Sequence, residues 1–427
     1  MNGAPAGLPL APVDEANMVI DRPGQVNVFL AAGILSPGGF IGGDGTLDLE
    51  ALRHAVRRRI DGLPALRRVA APRGRRHVWV EAAPDLREHI RTAPPLRDRR
   101  DLERWCGSLM ATPLPLTRPL WEMLVAPLEE GRTAAFVLRI HHATADGVAA
   151  VEIVRTLLGA DDASPSSAPS RPGRLAPGTP GSRAPALLRI LRGARRAVTM
   201  IVAGRVGPTV LLGPRSALHG AALIDADMAA LRLSARAGGA TVNDALLAAV
   251  TCGLRAALTS AGEPVPAELP VSVPVALERR GTAGNQVGFM IVPLPLSAAT
   301  PGERLTRIAG QTRQARARAR AQGTLELMRG PIAAAVMDRI ARSQHLVAGF
   351  VTNVRGPSET LLLAGARVES FWPVAVIAGN VRVGVAAVSY AGRLFCSVHC
   401  DAQWLSAHVI AAAMHRELRS MTGHAGA

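Results

Sequence analysis

The segment 141–147, which reads H-H-A-T-A-D-G, carries the residue types in this chain that are best suited to chemistry. Histidine titrates near neutral pH, so a histidine at the end of a strand can take a proton from a reacting group. Asp146 follows His142 by four residues and can brace the turn or pair with an arginine. Gly147 permits a backbone conformation with positive φ. The alternative without catalysis is that His141 and His142 face the core and cap a turn.

Composition excludes several other chemistries. All 49 cationic Lys or Arg positions are Arg, so Schiff-base formation, a lysine general base and a lysine-containing phosphate loop are excluded. No G-x-S-x-G motif is present, which favours direct transfer to a deprotonated acceptor over a covalent intermediate on serine. Cys396 and Cys400 bracket His399 in a segment that alternates like a strand. This pattern predicts core positions for Cys396 and Cys400, and the four cysteines, which include Cys106 and Cys252, do not form metal-ligand pairs.

Helices and strands must position the motif. An apolar strand predicted at 133–141 leads directly into it, and a helix is predicted at 148–158. The same N-terminal part contains predicted helices at 47–60 and 102–110 and a predicted strand at 77–82.

The C-terminal part has a similar mixture of elements. Thr241 followed by Asp244 predicts a capped helix start for 241–258. A basic amphipathic helix is predicted at 186–202; such helices pack on their own domain or lie on a membrane surface. Further predicted elements are a helical face at 313–320, strands at 346–352, 381–390 and 394–398, and a closing helix at 406–421.

A Pro, Ser and Gly-rich stretch at 159–185 has no hydrophobic period and is predicted to be a linker. It divides the chain into an N-terminal lobe at 1–158, which carries the histidine motif, and a C-terminal lobe at 186–427. Alternating helices and strands on both sides predict a two-domain α/β architecture.

The formal net charge is +16, and the arginines cluster at 57–59, 73–76 and 97–100. These clusters lack interleaved aromatic residues, so nucleic acid is not an expected partner. We interpret them as solvated faces, with a share available to an anionic ligand or an anionic membrane surface. The N-terminus lacks the pattern of a signal peptide, and no apolar run approaches the ~18 residues of a spanning helix. The expected location is the cytoplasm, with or without peripheral attachment to a membrane.

An ordered set of short motifs extends from about residue 8 to about residue 420. In addition to the histidine motif it contains L-A-P-V-D (Asp14), V-W-V-E (Trp79) with His89, P-L-W-E (Trp121, Glu122), T-V-N-D (Asn243, Asp244), V-P-V-A-L, G-N-Q-V-G (Asn285), T-N-V-R-G-P, S-Y-A-G-R-L and Asp401. This set resembles the wax ester synthase/acyl-CoA:diacylglycerol acyltransferase family. Each block alone is weak, but the ordered set is specific.

The resemblance implies the two-lobed fold of CoA-dependent acyltransferases, which is also that of chloramphenicol acetyltransferase and of peptide-synthetase condensation domains. It implies that His142 is the general base at the junction of the lobes, with Asp146 holding the loop. His141, Gly147 and Asn285 belong to the supporting motifs.

By the same resemblance, Asn243 and Asp244 match a motif associated with activity, while helix capping explains Asp244 equally well. The co-substrate would be acyl-CoA, with no bound cofactor. The acceptor would be a diacylglycerol or a long-chain alcohol, and peripheral association with a membrane or lipid droplet is compatible with such substrates.

The chain departs from the family pattern in three places. Arg355 stands where a proline is usual, the segment before P-L-W lacks its usual Asp, and the stretch before His89 lacks its aromatic residues. These departures concern the substrate pockets, because side chains around the base shape them. Two alternatives therefore stay open: a tailoring acyltransferase that acts on a specialised metabolite or a carrier-bound acyl group, and a non-catalytic lipid- or membrane-binding protein of the same fold.

Overall fold

The computed structural model describes residues 7–21, 24–74, 76–129, 132–145, 147–159, 206–276, 287–322, 335 and 338–423. Within these residues, two six-stranded sheets form the centres of two lobes that also contain helices. A three-stranded sheet lies beside the first lobe. This architecture confirms the two-lobed α/β prediction.

Helices and strands alternate along both parts of the chain. The N-terminal part contains β1 (Leu8–Pro9), α1 (Pro12–Ile20), β2 (Val28–Leu35), α2 (Leu49–Ile60), β3 (Arg68–Arg73), β4 (Arg76–Glu81), α3 (Leu86–His89), β5 (Ile90–Thr92), α4 (Arg99–Met110), β6 (Trp121–Leu128), β7 (Thr133–His141) and α5 (Gly147–Leu157). The C-terminal part contains β8 (His219–Asp227), α6 (Met228–Ala237), α7 (Val242–Ser260), β9 (Glu268–Ala276), β10 (Val287–Pro295), α8 (Pro301–Gln322), β11 (Phe350–Arg355), β12 (Leu362–Leu363), β13 (Ala366–Val374), β14 (Val383–Tyr390), β15 (Arg393–Asp401) and α9 (Ala407–Gly423).

The first sheet has the strand order β12-β13-β2-β7-β6-β5. Strand β7 lies between β2 and β6 and is antiparallel to both. Eight of its nine residues are buried, as expected for a central strand that is covered on both faces. The register pairs His141 with Val28, so the histidine motif begins beside the first residue of β2.

The second sheet has the strand order β10-β9-β11-β14-β15-β8. Helix α7 is the core helix of this lobe and packs closely on α9: a Cβ atom at Gly253 would lie 2.8 Å from the Ile410 Cγ2 atom. By length and composition α7 also meets the requirement for a membrane span, contrary to our expectation from the sequence. However, 67% of its apolar window is buried inside the lobe.

The two lobes are joined by a crossing of the chain at 362–374. Strands β12 and β13 come from the C-terminal part but belong to the first sheet, where β13 pairs with β2. The Trp372 indole N–H donates to the Ile224 carbonyl at 3.0 Å, and the Tyr390 hydroxyl donates to the Val368 carbonyl at 2.8 Å. The second sheet is therefore bonded directly to β13 of the first.

Strands β12 and β13 lie within the segment 186–427 that was predicted as the C-terminal lobe, yet they complete the first sheet. The residues of the first sheet therefore come from both sides of the predicted linker in sequence. The linker at 159–185, except residue 159, and the helix predicted at 186–202 lie outside the described residues.

Most of the remaining predicted elements within the described residues are confirmed to within a few residues, and the strand at 133–141 has the predicted bounds. The strand predicted at 346–352 is wrong at its start, since β11 begins at Phe350. The Gln344 side-chain carbonyl accepts the backbone N–H groups of Leu346 and Val347 at 2.7 and 3.0 Å. These bonds compete with strand pairing and hold the apolar segment as a loop.

Candidate active site

His141 is completely buried, and its hydrogen bonds occupy both ring nitrogens. The Ala143 backbone N–H donates to Nδ1 at 3.0 Å, so Nδ1 is the acceptor and Nε2 carries the proton. Nε2 lies 3.1 Å from an Asp21 carboxylate oxygen, to which it donates. The backbone N–H of His141 donates to the Leu120 carbonyl at 3.0 Å. His141 therefore has no ring lone pair left for a substrate proton and acts as a brace of the turn.

His142 differs because it is half-buried. Its backbone N–H donates to the Asn27 carbonyl at 3.0 Å, and its carbonyl accepts from the Asn17 amide at 3.3 Å. Its ring packs edge-on against Phe29, with ring centroids 5.1 Å apart. Within the histidine pair, His141 is thus the buried residue that braces the turn, and His142 is the more accessible one.

A ring of hydrogen bonds from α1 and the segment after it holds the His142 backbone. The Asn27 amide donates to the Asn17 backbone carbonyl at 2.9 Å and to its side-chain oxygen at 3.1 Å. The Asp21 carboxylate accepts the Asn27 backbone N–H at 3.0 Å. Asp21 therefore contacts both His141 and the segment that holds His142.

Asn17, Asp21 and Asn27 were not predicted from the sequence. The available signal was a set of polar residues in and just after an amphipathic helix, ahead of an apolar strand. Asp14, which belongs to one of the family motifs, lies one turn before Asn17 on α1.

Gly147 is the first residue of α5 and lies at the junction of the lobes. A Cβ atom at this position would lie 3.6 Å from the Val354 Cγ2 atom of β11, which is an ordinary contact. The histidine turn therefore faces the second sheet near the end of β11. Asp146 lies outside the described residues.

The three-stranded sheet β1-β4-β3 covers the histidine turn from one side. A small separate core joins this sheet and α1 to the turn; it consists of Leu10, Met18, Ala70, Trp79, Leu120 and Ala143. The Arg68 guanidinium lies 4.0 Å from the centre of the Trp79 ring and donates to the Thr144 carbonyl at 3.5 Å. Burial lowers the pKa of Arg68, and the Asp14 carboxylate opposes this change.

Two residues of the P-L-W-E block, Trp121 and Glu122, stabilise the region around the histidine turn. The Trp121 indole N–H donates to the Leu66 carbonyl at 3.0 Å, and its ring lies 4.7 Å from that of His89. Glu122 accepts from Arg139, which lies two residues before His141 on β7. Trp121 and Glu122 therefore stabilise β6 and the neighbouring β7, which leads into the histidine pair.

Asp244 caps α7, as the sequence predicted. The Thr241 backbone N–H and hydroxyl donate to one Asp244 carboxylate oxygen at 2.8 and 2.7 Å. The Thr312 hydroxyl of α8 donates to the other oxygen at 2.7 Å. Asp244 is 3% exposed and links α7 to α8, which favours the capping interpretation. Asn243 is half-buried in the first turn of α7.

Other family blocks also have structural contacts. Gly356 permits the close approach of β11 and β14, because a Cβ atom there would lie 2.4 Å from the Ser389 carbonyl oxygen. The Asp401 carboxylate accepts the backbone N–H and the hydroxyl of Ser216, both at 2.6 Å. Asn285 lies outside the described residues.

Among the described residues, no group of three or more His, Cys, Asp or Glu side chains could hold a metal ion. The predicted core positions of Cys396 and Cys400 are confirmed; Cys106 is also buried, and Cys252 is half-buried. Burial raises the pKa of all four thiols, so they are protonated near neutral pH and poorly suited to nucleophilic attack.

Comparison with known families shows which proteins this chain resembles. The family model described as the wax ester synthase/diacylglycerol acyltransferase catalytic domain matches residues 10–246, and that of the WS/DGAT C-terminal domain matches residues 283–422. A Mycobacterium tuberculosis protein named as a diacylglycerol O-acyltransferase is 30% identical over 359 residues, which cover 74% of this chain and 70% of the relative.

Two solved structures show the same fold. A wax ester synthase/diacylglycerol acyltransferase from Marinobacter aquaeolei VT8 is 20% identical, with a TM-score of 0.73 over 98% of this chain and 100% of that chain. The starter condensation domain of rhizomide synthetase, in complex with C8-CoA and Leu-SNAC, is 14% identical, with a TM-score of 0.57 over 99% of this chain and 95% of that chain. On these matches, the chain belongs to the wax ester synthase/diacylglycerol acyltransferase family.

Proposed function

We propose that this protein transfers a fatty acyl group from acyl-CoA to the hydroxyl group of a diacylglycerol or a long-chain alcohol, with His142 as the general base. Membership of the family supports the reaction class. The observation that carries the assignment of the base is the difference between the two histidines in burial and in the hydrogen bonding of their rings. Both ring nitrogens of His141 are bonded inside the protein, while His142 is half-buried and its ring packs against Phe29.

The reaction needs one proton acceptor and one proton donor. The His142 imidazole removes the proton from the acceptor hydroxyl as its oxygen attacks the thioester carbonyl carbon. Collapse of the tetrahedral intermediate breaks the carbon–sulfur bond, and the imidazolium returns the proton to the departing thiolate. The products are the ester and free CoA, and no covalent acyl-enzyme forms.

The remaining motif residues have positioning roles in this proposal. His141 and Asp21 fix the turn, and Asn17 and Asn27 hold the His142 backbone on both sides. Asp146 would hold the loop that leads into α5. The raised pKa values of the cysteine thiols support a direct transfer.

The charge of the protein and its exposed apolar residues both suit the proposed substrates. The formal charge of +16 favours an anionic co-substrate such as acyl-CoA. Leu8 and Val13 are 77% and 56% exposed on β1 and α1, and Arg73 and Arg76 at the turn of the β3–β4 hairpin are exposed as well. Exposed apolar and cationic side chains on this part of the protein support peripheral attachment to an anionic membrane from the cytoplasm. In vesicle flotation, the double variant Leu8→Ser/Val13→Ser should float less than the wild type with anionic lipid.

The substrate assignment is tested by incubating the purified protein with acyl-CoA and either diacylglycerol or hexadecanol. Formation of triacylglycerol or wax ester, with release of one CoA thiol per ester, is the expected result. Absence of product with both acceptors would contradict it. Transfer only to a polar metabolite or from a carrier-bound donor would establish the tailoring alternative. Vesicle binding without turnover over a broad panel would establish the non-catalytic one.

A further inference from the structure

Arg215 bonds across the junction of the lobes to the segment that holds His142. Its Nη2 group donates to the Gln25 side-chain oxygen at 2.6 Å and to the Gly24 carbonyl at 3.4 Å. Gln25 is only 2% exposed, so the shorter bond is shielded from water. Two residues later, the Asn27 carbonyl accepts the backbone N–H of His142 at 3.0 Å. A short covalent path thus connects the Arg215 contact with the His142 contact.

The other side of the guanidinium is fixed to the connection between β13 and β14. Nη1 of Arg215 donates to the Ile377 carbonyl at 2.7 Å, and Nε donates to the Gly379 carbonyl at 3.1 Å. This connection leads from the first sheet into the second. One planar side chain therefore ties it to the segment 24–27.

The backbone around Arg215 is clamped by the second lobe on both sides. Arg382 donates to the preceding carbonyl, that of Pro214, through Nε at 3.2 Å and Nη2 at 2.9 Å. On the following residue, Ser216 donates twice to Asp401 at 2.6 Å. Arg382 and Asp401 are 6% and 1% exposed. Arg215 is thus held on a rigid support, and its side chain can transmit the position of the second lobe.

We infer that Arg215 is a positioning residue, which sets the location of His142 relative to the second lobe by holding the segment 24–27. This inference rests on the proposed role of His142 as the base. In the proposed reaction the acyl donor and the acceptor meet the base between the two lobes, so the base must have the correct position relative to both. The Asn17 side-chain amide and the Asn27 carbonyl hold the His142 backbone within the first lobe. Arg215 joins the segment that contains Asn27 to the second lobe.

The geometry of the guanidinium is well matched to this task. Its planar set of donors reaches acceptors in two separate segments, 24–25 and 377–379, whereas an ammonium group has a single donating centre. We therefore expect Arg215→Lys to restore only part of the function lost in Arg215→Met. Loss of these bonds would displace His142, and an error of ~1 Å in the position of a reacting group can lower the rate by about 100-fold.

The experiment compares Arg215→Met and Gln25→Met with Arg313→Met. Gln25→Met removes the first-lobe acceptor of the shorter bond and leaves the Ile377 and Gly379 contacts in place, so it also serves if Arg215→Met fails to fold. Arg313 is the control for loss of an arginine side chain from the second lobe: it is exposed, and its guanidinium donates to the Gly239 carbonyl of the same lobe at 3.5 Å.

Two quantities are measured on each folded variant. Steady-state kinetics gives kcat and the KM values for acyl-CoA and the acceptor. NMR spectra of protein labelled with carbon-13 histidine report on the His142 ring, whose resonance is identified by its loss in His142→Ala. For Arg215→Met we expect kcat to fall by about 10–100-fold, KM to change by less than about threefold, and the His142 resonance to move. Gln25→Met should change in the same direction by less.

The inference would be overturned if Arg215→Met and Gln25→Met both had the same kcat and KM values as Arg313→Met and left the His142 resonance unmoved. A lower kcat with an unmoved resonance would also overturn it, since Arg215 would then act by another route. A moved resonance with unchanged kcat would uphold the positioning but contradict His142 as the base. The two proposals can therefore fail separately.

Discussion

The ion pair of Glu122 and Arg139 gives a sharp test of how the P-L-W-E block supports the histidine strand. Their side chains are 4% and 2% exposed. Arg139 also donates to the carbonyls of Leu109, at 2.9 Å, and Thr112, which fixes the end of α4. Burial lowers the pKa of Arg139, and the Glu122 carboxylate opposes this effect. The guanidinium therefore depends on Glu122 for charge compensation.

The structure predicts unequal losses for the two partners. Glu122→Leu leaves the Arg139 cation buried with only carbonyls as partners, and the free energy of unfolding should fall by about 3–5 kcal/mol. Arg139→Met leaves Glu122 paired with Arg91 at 2.8 Å, and near Arg118 at 3.8 Å, so the loss should be about 1–3 kcal/mol. The double variant buries no unpaired cation and should be more stable than Glu122→Leu.

Urea denaturation followed by tryptophan fluorescence measures these differences. Glu50→Gln is the control, because Glu50 is 67% exposed in its pair with Arg53 and should contribute less than about 1 kcal/mol. The reasoning is refuted if Glu122→Leu costs no more than this control. It is also refuted if the double variant is destabilised by the sum of the two single losses.

Two further predictions concern stability. Burial lowers the pKa of His399 to about 3, so the unfolded chain binds a proton between pH 6.5 and 3 that the folded protein does not. Stability should therefore fall as pH decreases below 6.5, with a contribution of about 2 kcal/mol lost by pH 5. His399→Gln should abolish this part of the slope in urea midpoints. Asp244→Ala removes the cap of α7 and the acceptor of Thr312, so it should lower the free energy of unfolding by about 2–3 kcal/mol and leave kcat per folded molecule unchanged. A drop in kcat without a loss of stability would assign Asp244 a catalytic role.

Local patterns were sufficient for elements whose residues settle their own structure. The strand leading to His141 has a continuous apolar run, and Thr241 with Asp244 forms the capping box that their spacing predicts. The histidine motif was also visible, because its residue types are rare and adjacent. These features depend on neighbours in sequence, which a single chain displays directly.

Long-range contacts could not be inferred in the same way. The bond between Asp21 and His141 joins residues 120 positions apart, and nothing local to either residue specifies the other. Strand β13 has an ordinary strand pattern, but its place in the first sheet depends on pairing with β2. The sequence therefore singled out His142, the proposed base, while the residues that hold it could be found only from the fold.

The turnover of folded His142→Ala protein tests the central claim most directly. The variant is assayed with acyl-CoA and the acceptor that the wild type uses, after its urea midpoint has been shown to match that of the wild type. Loss of the general base should lower kcat by about 10²–10⁴-fold. Turnover equal to that of the wild type in folded His142→Ala protein would contradict the mechanism.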